Sequence, residues 1–199
     1  MPTITTPRLS PPEPATWTAE TVSQAFLPAL QPGGLAESLG FEGFADQAVV
    51  DVGAGDGRYT RLLTGLGARS VTAVELHQCF IDTGRQKGWF AGQAICGDVV
   101  SLSELDEHTG TYDRAVITNL TPNTYYRDVN PILKATQRLL NNDGQIVVTL
   151  VERQRQASVV EDLSKLFAEV SCSKVWSGFG RPMPANNVML VAKHKIPVA

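Results

Sequence analysis

The chain has 199 residues, 43% of them apolar and 19% charged, with 17 Lys and Arg against 20 Asp and Glu and a net charge of -3. That length and composition suit a folded domain with a full hydrophobic core and exclude a largely disordered chain. The acidic balance lacks the basic footprint of a general nucleic-acid binder, and no apolar run is long enough to span a bilayer.

Residues 1–15 hold Pro2, Pro7, Pro11, Pro12 and Pro14 and read as a flexible, extended leader. Residues 16–46 read as a helical segment of lid type. From Trp17 to Leu30 the pattern is helical, with Val22, Phe26 and Leu30 on one face, and Pro32-Gly33-Gly34 stops it. A second apolar piece, Leu35 to Phe44, leads into the body of the chain, residues 47–199. The amino terminus shows no basic region followed by an apolar core, so a cytoplasmic protein is expected.

The body alternates strands and helices. Strands are predicted at Ala48–Val52, Ser70–Glu75, Gln93–Cys96, Arg114–Thr118 and Gln145–Leu150. Helices are predicted at Arg58–Leu66, His77–Lys87, Leu102–His108, Tyr125–Leu140 and Ser158–Phe167. That rhythm predicts parallel β-α-β units with helices on both faces of a sheet. Asn141-Asn142-Asp143-Gly144 predicts a helix stop and turn. The tail differs: Val170–Trp176 and Asn187–Lys193 read as strands joined by a Gly/Pro-rich loop, with no helix between them. They should pair antiparallel.

The richest stretch is Val49-Val50-Asp51-Val52-Gly53-Ala54-Gly55-Asp56-Gly57-Arg58-Tyr59-Thr60. An apolar strand ends in an acid, and a glycine-dense turn opens into a helix. Glycines there allow positive φ and a close approach of ligand to backbone. The turn also stands where open α/β sheets bind ligands, at the carboxyl end of a strand. Spacing separates the nucleotide classes. In the dinucleotide fingerprint G-x-G-x-x-G the third glycine would fall at Arg58; here it is Gly57. No Gly-Lys-Ser/Thr follows, which excludes a P-loop.

The pattern D-x-G-x-G-x-G resembles motif I of the Rossmann-like (class I) S-adenosylmethionine-dependent methyltransferases, and the resemblance runs from about residue 47 to the end. It implies a three-layer α/β fold whose sheet of seven strands is mostly parallel with a C-terminal antiparallel hairpin, and S-adenosylmethionine as cofactor. It further implies that Asp51 helps hold the amino end of the cofactor's methionine part; by itself that acid would brace the turn by accepting from backbone N–H groups. Gly53, Ala54 and Gly55 give clearance beside the cofactor, and Gly57 lets the helix start pack closely. Asp56, in the first helical turn, reads as structural.

Glu75 ends the second strand eighteen residues after Gly57, where an acid can accept from both ribose hydroxyls. Leu76 is placed to pack on adenine. In the family, an acid at the station of Asp98 accepts from the adenine amine, with Val99 beside it and Gly97 giving room; the competing role of Asp98 is a helix cap. The end of the fourth strand faces the transferable methyl, which brings Asn119 and the loop Leu120–Tyr126 to the reaction centre. The stretch departs from the Asn/Asp-Pro-Pro-aromatic pattern of enzymes that methylate base amines, because Thr121 intervenes and Asn123 replaces the aromatic. Asn119, Tyr125 and His77 are the catalytic candidates, with Asp56 as a further base; many such enzymes need no strong base. Trp17, Trp89, Phe90, Tyr126, Trp176 and Phe179 are aromatic-wall candidates, and Arg181 and Asn186 are candidate substrate contacts.

The expected activity is methyl transfer to an oxygen or nitrogen of a small molecule, with a protein side chain as the other acceptor class. Nucleic acid and membrane are not expected as partners, and a homodimer could complete the pocket. Three alternatives compete. One is a cofactor-binding pseudoenzyme or partner subunit. Another is an aminopropyltransferase-like enzyme, which Thr118-Asn119-Leu120-Thr121-Pro122, lacking paired acids, disfavours. The third is cofactor-assisted chemistry such as a cyclisation. No Cys/His cluster has zinc spacing, so no metal is expected. Cys79, Cys96 and Cys172 read as buried free thiols.

Overall fold

A computed structural model describes residues 29–30, 32–118, 128–150, 156–173 and 188–196. Seven strands, β1 (Ala48–Val52), β2 (Ser70–Glu75), β3 (Ala94–Cys96), β4 (Tyr112–Ile117), β5 (Leu140–Leu150), β6 (Phe167–Cys172) and β7 (Val188–Lys195), form one sheet. Their spatial order is β3-β2-β1-β4-β5-β7-β6. Strands β3 through β5 are parallel, and β7 runs against both of its neighbours, β5 and β6. The helices are α1 (Leu35–Ser38), α2 (Arg58–Gly65), α3 (Gln78–Gln86), α4 (Asn130–Leu139) and α5 (Gln156–Leu166), with a 3-10 turn at Ser103–His108. This is the three-layer, Rossmann-like arrangement expected. Among the described residues no helix is long and apolar enough to cross a membrane.

The period of two along each strand sorts the core into two faces. Val50, Val52, Val74, Ile95, Ala115, Ile117, Ile146 and Val148 pack with Leu133, Leu139, Val159 and Leu163 of α4 and α5. Val49, Val71, Val116, Val147, Met189 and Val191 pack with Leu62 and Leu63 of α2 and with Phe41 and Phe44. Asp51 shares the parity of Val49, so its side chain lies on the α2 face. In parallel register Asp51 stands beside Ala73, and Glu75 lies two residues further along β2 on that same face. The alternation of β1 and β2 therefore delivers both carboxylates to one side of the sheet at its carboxyl end.

Several boundaries differ from the sequence prediction. The predicted turn Asn141–Gly144 is a bulge inside β5: Tyr112 pairs with Leu140 and Arg114 with Gln145, so the extra β5 residues loop out. Asn141 closes the bulge by donating to Asp113 Oδ1 (2.7 Å) and accepting from the Asp143 N–H (3.1 Å). Helix α4 starts at Asn130, not in the run from Tyr125. Asp128 Oδ1 accepts from the Asn130 N–H (3.0 Å), and Pro131 fits only the first helical turn. Ser103–His108 winds as 3-10, with Leu105 its one buried residue. Helix α5 ends at Leu166 because Phe167, 1% exposed, turns into the sheet opposite Lys195. The cysteines are not buried: Cys79 and Cys96 are exposed and Cys172 is half-buried. Cys79 sits in the first turn of α3 and Cys96 on the short edge strand β3, and neither position is covered by a layer.

At the amino end of the sheet a polar knot ties β1, β4 and the Phe41–Phe44 segment together. Arg114 donates to the carbonyls of Gly43 (3.1 Å) and Asp113 (2.8 Å) and pairs with Glu42 (3.3 Å). Burial lowers the pKa of Arg114 while Glu42 and Asp113 oppose that shift. Asp113 Oδ2 accepts from the Ala48 N–H (2.8 Å) and pairs with Arg69 (3.2 Å). This knot fixes the lateral register of β1 and β4, and so the level at which the loops at the opposite end emerge.

Candidate functional site

The turn after β1 is built on three positive-φ glycines: Gly53 at 74°, Gly55 at 57° and Gly57 at 83°. Their surroundings divide them as the sequence predicts. A Cβ at Gly53 or Gly55 would meet nothing within 4 Å, so the backbone there fronts open space. A Cβ at Gly57 would lie 2.5 Å from the Phe90 ring. Phe90 also fills the notch at Gly84, whose Cβ would stand 2.3 Å from Phe90 Cε2 and 2.3 Å from the Asp56 carbonyl. Gly57 and Gly84 thus let α2, α3 and Phe90 pack together, while Gly53 and Gly55 leave a cradle. The N–H groups of Gly53 (2.9 Å) and Ala54 (3.2 Å) both donate to the Val74 carbonyl, which ties the turn to β2.

Glu75 is 7% exposed and grips the turn from the other side. Its Oε2 accepts from the Gly55 N–H (2.9 Å) and its Oε1 from the His77 N–H (3.0 Å). Each carboxylate oxygen retains a further lone-pair site, so Glu75 can still accept from a diol. The bracing of the glycine turn falls to Glu75, and not to Asp51, for which the sequence suggested it. Asp51 is fully buried, and its Oδ2 accepts from the Thr60 hydroxyl (2.7 Å). Its Oδ1 is buried with no partner among the described residues. Burial, with the Glu75 charge adding to it and Thr60 opposing, pushes the Asp51 carboxyl up to about 7. The sequence gives no direct sign of Thr60 as a site residue. It sits three positions before the fully buried Leu63, so a polar residue on the inward face of α2 was the available signal.

Asp98 lies beside this pair. The Gly97 N–H donates to the Glu75 carbonyl (2.9 Å), in register with Glu75 opposite Cys96. Asp98 Oδ1 accepts from the Val100 N–H (2.9 Å), and its carbonyl accepts from the N–H groups of Ser101 and Leu102. Asp98 thus closes a turn and does not cap a helix, because the 3-10 helix has Leu102 at its N-cap; any contact with a ligand must be made by a carboxylate already held by its own turn. The absent side chain of Gly97 makes room for Leu102: a Cβ on Gly97 would stand 2.7 Å from Leu102 Cδ1. Val99 is half-buried against the core, and Leu76 is half-buried at the rim.

The remaining candidates separate clearly. His77 is exposed, occupies the residue before α3 and stands edge-on to Phe80 at 5.8 Å between centroids. Asp56 is structural, as expected: its Oδ2 pairs with Arg58 (3.0 Å) and Lys87 (3.2 Å), and both cations lie over Trp89. Trp89 is thereby committed to packing. Trp17, Asn119, Tyr125, Tyr126, Trp176, Phe179, Arg181 and Asn186 lie outside the described residues. Asn119 follows β4, whose Ile117 pairs with Val52 directly before the glycine turn.

The donor set fits an adenosyl amino acid. The cradle at Gly53 and Gly55 admits a ligand where a Cβ would intrude, Glu75 offers acceptors for a sugar diol, and the orphan Asp51 Oδ1 offers an acceptor for a cation. Residues 49–144 match the family model described as a methyltransferase domain. No curated protein matches by sequence. Three of the solved structures that share the fold illustrate its range. A SAM-dependent methyltransferase, "possible histamine N-methyltransferase", from Thermotoga maritima is 16% identical over 88% of this chain and 92% of its own, with a TM-score of 0.62. A proposed RNA methyltransferase from Pyrococcus horikoshii is 19% identical over 80% and 79%, with a TM-score of 0.55. The [4+2]-cyclase SpnF is 14% identical over 82% and 80%, with a TM-score of 0.62.

Proposed function

We propose that the chain, whose residues 49–144 match a methyltransferase-domain family model, is a class I S-adenosylmethionine-dependent methyltransferase that methylates an oxygen or nitrogen of a small molecule. The observation that carries the acceptor class is the charge at the carboxyl end of the sheet. Glu75 and Asp98 stand there on neighbouring strand ends, while Arg58 and Lys87 are spent on Asp56. Such a rim repels a phosphate backbone and tolerates a neutral or cationic small molecule. The names of the structural neighbours span a small amine, RNA and a cyclisation, so the neighbours themselves favour no acceptor.

When bound, the cofactor supplies a methyl group that is electrophilic because it sits on a sulfonium. The protein's share is then alignment and exclusion of water. Glu75 would hold the ribose hydroxyls, Gly53–Gly55 would line the methionine arm, Asp51 would face its ammonium, and Asp98, Val99 and Leu76 would border the adenine. Asn119 and Tyr125 are the residues proposed to position the acceptor. His77, exposed and stacked edge-on with Phe80, is the base candidate within the described residues.

The test is transfer of labelled methyl from the cofactor into a cell extract separated into small-molecule, protein and RNA fractions. Label in the small-molecule fraction supports the proposal. Label confined to protein or RNA replaces the acceptor class. Cofactor binding with no transfer into any fraction assigns the chain as a binding subunit.

A further inference from the structure

Asp51 is an unusual carboxyl for a site that must receive a cation. It is completely buried, and one of its oxygens has no partner among the described residues. Its surroundings can be taken element by element. From α2 it faces the Thr60 hydroxyl at 2.7 Å. From β2 it faces Ala73, its register partner, and beyond that the Glu75 carboxylate. From β4 its register partner is the apolar Val116. The cation at the first position of α2, Arg58, is held by Asp56 and by the Trp89 face. One hydroxyl donor and one like charge are poor support for a buried anion.

We propose that Asp51 is a neutral acid in the cofactor-free protein and releases its proton to solvent when the ligand's ammonium settles against Oδ1, so that cofactor binding and ionisation of Asp51 are one event. This rests on the cofactor assignment above. The balance is simple: the O–H bond of Asp51 breaks, the proton passes to buffer, and the ammonium keeps all of its own protons while the carboxylate becomes its counter-ion. Thr60 is a positioning residue in this scheme, holding Oδ2 and leaving Oδ1 as the oxygen without a partner among the described residues. The placement of the Asp51 carboxyl at about 7 by burial and by Glu75 agrees with the geometry. The sign follows. Below that value each binding event must expel a proton, so affinity falls as pH falls, approaching about tenfold per unit; above it the contribution of Asp51 is flat.

Calorimetry of S-adenosylmethionine binding in buffers of different ionisation enthalpy, between about pH 5.5 and 7.5, reads the protons released. The pKa of an α-amino group, about 7.7–8.0, lies just above that window, so proton uptake by the ligand's own amine is subtracted at the upper end. Close to one proton per cofactor at the acid end, falling through about half near neutrality, is expected. Methylthioadenosine, which lacks the amino-acid arm, should bind with no proton release and no pH dependence. Asp51→Asn should abolish the release; should that variant not fold, Thr60→Val should move the midpoint upward by removing the one donor that favours the ionised form. Carbon-13 NMR of the Asp51 carboxyl in the ligand-free wild type gives a reading independent of ligand, with a midpoint near neutrality expected. A midpoint in the ordinary carboxylate range, or tight binding of the cofactor without proton release at about pH 6, overturns the proposal and leaves the cofactor assignment standing. Absence of cofactor binding at every pH removes both.

Discussion

The two halves of the glycine turn should fail in different ways when given a methyl group. Alanine at Gly55 must adopt a φ near 57°, which costs about 1–2 kcal/mol for an L-residue, but its Cβ meets nothing in the protein. Alanine at Gly57 bears the same backbone cost at φ 83° and also drives its Cβ to 2.5 Å from Phe90 Cε1. The ring cannot back away, because Phe90 is already pinched against Gly84 on its other edge. Overpacking of that kind adds about 1–3 kcal/mol. Gly57→Ala should therefore lose about 2–5 kcal/mol in urea melts of the cofactor-free protein, against about 1–2 kcal/mol for Gly55→Ala. Cofactor affinity should reverse the ranking: Gly55→Ala, which places a methyl in the cradle, should weaken binding at least about tenfold. A second substitution checks the mechanism. In a Phe90→Leu background the cost of Gly57→Ala should shrink by the overpacking part, about 1–3 kcal/mol, while that of Gly55→Ala stays unchanged. Equal destabilisation by both alanines, or no coupling between Gly57 and Phe90, refutes the division of labour.

Glu75→Ala strips two backbone donors, Gly55 and His77, of their acceptor. Differential denaturation should show a loss of about 2–4 kcal/mol, and calorimetry a cofactor affinity reduced more than that of the Gln variant, which keeps one oxygen. The pH dependence of stability follows from Asp51. Its carboxyl rises from 3.8 to about 7 on folding, so between those values the folded chain holds a proton that the unfolded chain has released. Stability from this group is full at acid pH and declines by about 4 kcal/mol as pH rises to neutrality. Asp51→Asn should remove that slope and be the more stable protein at about pH 8 without cofactor; urea midpoints at about pH 5 and 8 decide it, and an unchanged slope contradicts it. Arg114→Ala, at the opposite end of the sheet, should cost about 2–3 kcal/mol through the lost carbonyl and ion-pair contacts. Its cofactor affinity at a temperature where it stays folded should match wild type.

The strands and the glycine turn were legible because they rest on local signals: alternation, glycine spacing and an acid at a strand end. The separation of Gly53 and Gly55 from Gly57 was also legible, since their places in the motif set which glycines front open space and which packs at the helix start. What escaped is non-local. The clasp of Glu75 on the Gly55 N–H spans twenty residues, and the sequence offers no register by which to see it. For the same reason the sequence points to Asp51 for the bracing role that Glu75 fills. Leu102 filling the space at Gly97 depends on how the chain folds back after Asp98. Asn141–Gly144 carried a true turn signal, but whether such a signal ends a strand or bulges within it is decided by the partner strand, here through Asp113.

The central claim is that the bend after Val52 receives an adenosine linked through sulfur to an amino acid. Calorimetric titration of ligand-stripped, folded protein at about pH 7.5 with S-adenosylmethionine, its demethylated product and a nicotinamide dinucleotide tests it directly. The first two should bind at one site per chain and the dinucleotide should give no heat of specific binding. Tighter binding of the dinucleotide, or no affinity for either sulfur compound, contradicts the account.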